Sequence, residues 1–278
     1  MRIRTLPDGA ACVALTDGRL ARVDRILDDA PSDLLSLLAA GTLDALAAAV
    51  ARGVDDTACV DPQSPIAAPW TRPRKILGIG LNYGAHAGDL GEQAPRTSPA
   101  SFIKGDHTIV GPGEPIVVPT GIGRVTAEAE LGLVIGRTCF RIGVDEAMSY
   151  VAGVVPVLDQ TAEEILLENP RYLTRVKNYP TFFSFGPELI TLDEVLSHGP
   201  LSGLRVATVH NGAVHRTDTV AGMTFSPAEL LSFHSQVMPF YPGDILSTGT
   251  PGAVPIVPGD VVRCELGNGF ASLTNPVQ

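Results

Sequence analysis

The chain opens with three short apolar stretches bounded by turns. Arg2–Leu6, Ala11–Leu15 and Arg19–Val23 read as strands, with Pro7-Asp8-Gly9 and Asp17-Gly18 between them. A helical period follows, with Ser32 placed to cap Asp33–Ala40 and Thr42 to cap Leu43–Arg52, which ends at Gly53. From Pro62 to Pro73 four prolines mark an extended linker. The expected division is a small N-terminal α/β domain over 1–70 and a larger, mainly β domain over 71–278. Beyond the linker the pattern predicts strands at Lys75–Leu81, Ser101–Lys104, Ile116–Pro119, Thr126–Ile135, Val151–Leu158, Asp244–Thr250 and Val261–Leu266. Asn211-Gly212 predicts a hairpin turn, and Ser226-Pro227-Ala-Glu229 a capped helix start.

One strand carries a chemical conflict. In Thr126-Ala-Glu128-Ala-Glu130-Leu-Gly-Leu-Val-Ile135 the apolar residues argue for burial, yet alternation points Glu128 and Glu130 to the same face. Neighbouring carboxylates in a partly dry site repel unless one is protonated or a cation lies between them. The stretch is therefore either an edge strand with solvated charges or a hard-cation site. A cation site needs a third oxygen ligand, and Asp159 ends the apolar run Val151–Leu158. Thr161-Ala-Glu-Glu164 has the spacing of a capping box, which predicts a helix start directly after Asp159. Two glutamates and an aspartate without His or Cys favour Mg²⁺, Mn²⁺ or Ca²⁺ over zinc.

Composition narrows the partners. The 278 residues carry a formal charge of −10 without a Lys/Arg cluster, which disfavours nucleic acid and anionic membranes. Cys12, Cys59, Cys139 and Cys264 are widely spaced and read as reduced thiols, and no apolar signal core or spanning segment is evident. The expected location is the cytoplasm. Gly78-Ile-Gly80 with Gly84 faintly suggests a dinucleotide loop, but the segment after it is small and polar with two prolines instead of a helix. That segment reads instead as a loop over a site or a plain surface connection. His210 and His215 flank the predicted hairpin and read as structural or solvent-facing instead of zinc ligands.

The remaining candidates suit a metal-assisted hydrolysis. His86 and Asp89 are three residues apart, so on a helical turn the carboxylate can orient the imidazole for use as a base. Lys177, in an aromatic neighbourhood, suits a developing oxyanion, and Ser247-Thr-Gly-Thr250 offers hydroxyl and N–H donors. The bland alternatives are a surface cation and an ordinary turn.

In order and spacing, GLNYGAHAGD, FIKGDHTIVGPG, AEAELGLVIG, KNYPTFFSFGP, VHNG and PGDILSTGTPGAV resemble the catalytic domain of the fumarylacetoacetate hydrolase family. The resemblance covers about residues 73–278 and implies an α+β, mainly β fold, a mixed β-sandwich roll, usually in a homodimer. It implies a divalent cation, Mg²⁺ first with Mn²⁺ or Ca²⁺ as options, on Glu128, Glu130 and Asp159. It also implies a His86–Asp89 dyad, an oxyanion lysine at Lys177 and substrate binding by Thr250, with Tyr83 in the first motif a further candidate. Three positions depart from the family pattern. Asp89 stands where Glu is usual, Leu158 where Asn is usual, and Glu163 where one branch has an arginine for a substrate carboxylate. Arg175 or Arg171 is the candidate replacement for that arginine. The implied reaction is C–C bond hydrolysis of a 1,3-dicarbonyl, acylpyruvate-type substrate. Decarboxylation, hydration or keto–enol isomerisation at the same site, or an inactive binding protein on this fold, are the alternatives.

Overall fold

The computed structural model describes residues 1–84, 88 and 95–278. Strands outweigh helices, as expected for the mainly β class. In chain order the strands are β1 (Arg2–Thr5), β2 (Ala11–Ala14), β3 (Leu20–Arg22), β4 (Cys59–Val60), β5 (Ile76–Gly80), β6 (Ala100–Lys104), β7 (Ile109–Val110), β8 (Val125–Ile135) and β9 (Val151–Ala162). They continue as β10 (Phe183–Phe185), β11 (Glu188–Thr191), β12 (Arg205–His210), β13 (Ala213–Thr219), β14 (Ile245–Ser247), β15 (Ala253–Ile256), β16 (Val261–Leu266) and β17 (Leu273–Pro276).

Among the described residues these form a 13-stranded mixed sheet, whose main path runs β4-β3-β2-β1-β11-β9-β8-β14-β5-β6, and a four-stranded sheet ordered β13-β12-β16-β17. The first four strands extend the large sheet, because β1 pairs antiparallel with β11. Off the main path, β10 pairs with both β7 and β9, so the sheet curls and brings the segment after β6 back towards β9.

At the centre is the antiparallel pair β8–β9, in which every β8 residue is buried. One face of β8 presents Ala127, Ala129, Leu131 and Leu133 to a core shared with Val206, Val262 and Leu266 of the smaller sheet. The other face begins apolar, where Val134, Val155 and Val157 pack with Leu34, Leu37 and Trp70. Further along that same face stand Glu130, Glu128 and Asp159. Burial of each such aliphatic chain contributes roughly 1.5–3 kcal/mol, which offsets the cost of holding carboxylates away from water.

Local signals were mostly realised, with instructive exceptions. Asp33, not Ser32, caps the first helix, Leu34–Ala40, by accepting from the Ser36 N–H at 2.9 Å. Thr42 precedes the helix Leu43–Ala51 without a side-chain capping bond. The expected helix after Thr161 is present as Glu163–Glu168, but Thr161 does not cap it, because β9 runs on through Ala162. Asp159 therefore lies within a strand, not at its tip, and the strand expected at Ile116–Pro119 reduces to a single bridge between Ile116 and Val277. Asn211 and Gly212 make the predicted turn with φ of 49° and 83°, and Ser226 forms its capping box with Glu229. No single helix among the described residues is long and apolar enough to cross a membrane.

Candidate metal centre and active site

Register assembles the acidic cluster. Glu128 pairs directly with Asp159 across β8–β9, and Glu130 with Val157. Side chains of directly opposed residues share a face, so alternation along β8 brings in Glu130. Carboxylate oxygens from Glu128, Glu130 and Asp159, all buried, lie within 4.8 Å of one another. The solvated edge-strand reading is excluded.

Two buried lysines hold two of the three carboxylates. Lys177, at the end of the helix Leu173–Lys177, donates to Asp159 Oδ2 at 2.8 Å and to Glu128 Oε2 at 3.0 Å. Lys104, the last residue of β6, is buried and donates to Asp159 Oδ1. Thr161 donates to Glu128 Oε1 at 2.6 Å, which explains why it does not cap the next helix. Glu130 is held differently. Its Oε2 accepts from the Ser247 hydroxyl at 2.5 Å and from the Gly249 N–H at 3.0 Å, while its Oε1 is buried without a partner. Gly249 has φ of 93°, and a Cβ there would approach Asn82 Cβ at 2.9 Å, so this N–H donor depends on glycine.

The titration behaviour follows from this layout. Burial, and after it the charge of Asp159, pushes the Glu130 carboxyl above its ordinary range, against the opposing pull of Lys177. Burial draws the Lys104 ammonium down to about 8 in spite of Asp159. Burial would depress Lys177 as well, but Asp159, Glu128 and Glu130 outweigh it and hold that ammonium above its usual range. When all three carboxylates are ionised, as cation binding requires, the two ammonium groups leave one negative charge uncompensated, least so at the orphaned oxygen of Glu130. An all-oxygen, electron-rich cluster with an unpartnered buried acceptor fits a hard divalent cation.

Glu128 and Lys177 open onto a cavity of about 460 Å³ that Thr126, Thr161, Thr250 and Phe102 also line. Phe102 stacks beneath the Lys177 ammonium, 4.7 Å from ring centroid to nitrogen. Thr250 bonds with Gly252, donating to its carbonyl and accepting from its N–H.

The structure thus brings together Glu128, Glu130, Asp159 and Lys177, with Thr250 on the same cavity. Arg175 and Arg171 are exposed and lie outside the cavity lining. Tyr83 is fully buried, bridges to Met223 and also lies off the lining. His86 and Asp89 fall outside the described residues. His210 pairs with Asp260 at 3.0 Å, and His215 contacts the Ala253 carbonyl. Gly78 lies within β5, where a Cβ would meet the Phe102 ring at 2.3 Å, so packing accounts for this glycine without a nucleotide. Lys104 had no role in the sequence expectations, whereas Ser247 belongs to the stretch expected to supply donors and here donates to Glu130. Phe102 and Lys104 share a face of β6 by alternation, but a lone lysine at a strand end carries no sign that it is buried.

Residues 75–278 match the family model described as fumarylacetoacetate (FAA) hydrolase C-terminal. A 2,4-didehydro-3-deoxy-L-rhamnonate hydrolase of Sphingomonas sp. is 35% identical over 80% of this chain and 76% of its own. The mitochondrial oxaloacetate tautomerase Fahd2a of Rattus norvegicus is 33% identical over 72% of this chain and 65% of its own. The solved structure of maleylpyruvate hydrolase from Sphingobium sp. SYK-6, in complex with manganese(II) ion and pyruvate, superposes with a TM-score of 0.81 at 26% identity, covering 100% of this chain and 98% of that one. The relatives include hydrolases, tautomerases and isomerases. On its family match and these identities, the chain belongs to the fumarylacetoacetate hydrolase family.

Proposed function

We propose that this protein is a divalent-metal-dependent hydrolase that cleaves a carbon–carbon bond in a 1,3-dicarbonyl, acylpyruvate-type substrate. The observation that carries this reading is the buried Glu128–Glu130–Asp159 cluster, flanked by Lys177, with Glu128 and Lys177 lining a cavity. Glu128, Glu130 and Asp159 would hold the cation, with Mg²⁺ the first candidate. When bound, the cation supplies positive charge to which adjacent substrate oxygens can chelate, stabilising negative charge that develops there.

The chain's own groups divide the remaining work. His86, oriented by Asp89, would take a proton from water as the water oxygen adds to the distal carbonyl. Lys177 commits two of its three N–H donors to Glu128 and Asp159, so one remains for the carbonyl oxygen as it gains charge. Re-forming that carbonyl breaks the carbon–carbon bond. The released pair of electrons passes into the dioxo half of the substrate, which leaves as its enol and takes back a proton. Buried Phe102 at the cavity wall keeps bulk water from competing for Lys177.

A second reading draws on the tautomerase and isomerase relatives. The same carboxylates, Lys177 and base serve keto–enol isomerisation if no water adds. Product analysis by NMR on a panel of 2,4-diketo acids separates the two. Formation of a carboxylic acid and pyruvate supports hydrolysis, whereas proton exchange without fragmentation supports isomerisation and rejects it.

A further inference from the structure

Resting on the function proposed above, we infer that the substrate's end remote from the carboxylates is an uncharged apolar tail, alkyl or aryl, and not a second carboxylate. The argument comes from what the cavity presents beyond its acidic floor. Leu173 and Lys177 both line it and lie one helical turn apart, so the wall passes from ammonium to aliphatic within a single turn. In the neighbouring helix Leu166 and Leu167 follow Glu163 by three and four residues, and all three line the same cavity. Pro170 joins the two helices on the lining. Leu167 is 60% exposed, a large apolar side chain that the described chain leaves uncovered. A hydrocarbon tail would cover it and be covered in turn.

The charges on the described lining argue against a second carboxylate at that end. Among the described residues lining the cavity, the ionisable groups are Glu128, Glu163 and Lys177. Lys177 is committed to Glu128 and Asp159 at the floor, and Glu163 is bound to Arg124, which lies outside the lining. A second substrate carboxylate among these leucines would lose its hydration and find no uncommitted cation among the described lining residues to replace it.

The test uses the Mg²⁺-loaded full-length protein and 2,4-diketo acids whose tails run from methyl to butyl and phenyl, each compared with an ω-carboxylate of matched length. The inference expects kcat/KM to rise about fourfold per added methylene over the first members, and the ω-carboxylates to fall at least 100-fold below their apolar counterparts. Leu167→Lys, at an exposed position that should tolerate it, is expected to raise kcat/KM for the ω-carboxylates at least tenfold relative to the alkyl series. A flat alkyl series, or ω-carboxylates equal to or better than their partners, overturns the inference. Calorimetric affinities of the same compounds decide the matter if nothing turns over. Tighter binding of apolar tails then sustains the inference while the proposed hydrolysis fails, and tighter binding of ω-carboxylates, or none at all, overturns it.

Discussion

Glu128 and Asp159 are register partners on adjacent antiparallel strands, and the Lys177 ammonium reaches both carboxylates. A cross-strand pair of like charges destabilises a sheet in isolation. Here the strands stay paired because Lys177 and Lys104 are buried against the carboxylates and the rest of β8–β9 is apolar. The cluster is thus poised for one more cation, and its supporting residues become testable.

Ser247 holds Glu130 from the neighbouring strand β14, and outer hydrogen bonds of this kind typically change metal affinity by about 10- to 100-fold. Ser247→Ala should therefore weaken Mg²⁺ or Mn²⁺ binding about tenfold by calorimetry. The Gly249 N–H still engages Glu130, so urea-unfolding stability of the metal-free protein should change by only about 1 kcal/mol.

Lys104 offsets charge at the cluster without contacting Glu130. Lys104→Met removes one partner of a buried ion pair, which should destabilise the metal-free protein by about 3 kcal/mol. A divalent cation then has more negative charge to neutralise. The rise in Tm on adding saturating Mg²⁺ should accordingly be larger in the variant than in the parent, as differential scanning fluorimetry would show.

His86 is assigned from the chain's pattern as the base that acts on water. Removing such a group costs about 10²–10⁴ in rate. His86→Ala should lose turnover by this factor while Mg²⁺ affinity stays within about twofold, whereas Glu130→Gln should lose both. Parallel loss of metal binding in His86→Ala would move His86 into the ligand set.

Alternation of faces along Thr126–Ile135 was enough to place Glu128 and Glu130 together, because a buried strand leaves a side chain only two directions. Asp159 was legible as the third member of the acidic cluster, although its strand runs on past it. Gln160 and Thr161 look like a strand end followed by a cap, yet both are buried, and Thr161 spends its hydroxyl on Glu128. Lys104 stayed hidden because its burial depends on the sheet curling through β7 and β10, a long-range pairing that no local pattern announces. The same reason concealed the pairing of β1 with β11: Arg2 meets Ile190 across most of the chain's length. Short-range chemistry was easier to read, as the Asn211-Gly212 turn and the Ser226–Glu229 capping box show.

The most direct measurement is turnover of an acylpyruvate by protein stripped with EDTA, before and after Mg²⁺ is returned. If Glu128, Glu130 and Asp159 hold a catalytic cation, the stripped protein is inactive and returned Mg²⁺ restores the rate. Undiminished cleavage with EDTA still present would contradict the assignment of these three carboxylates.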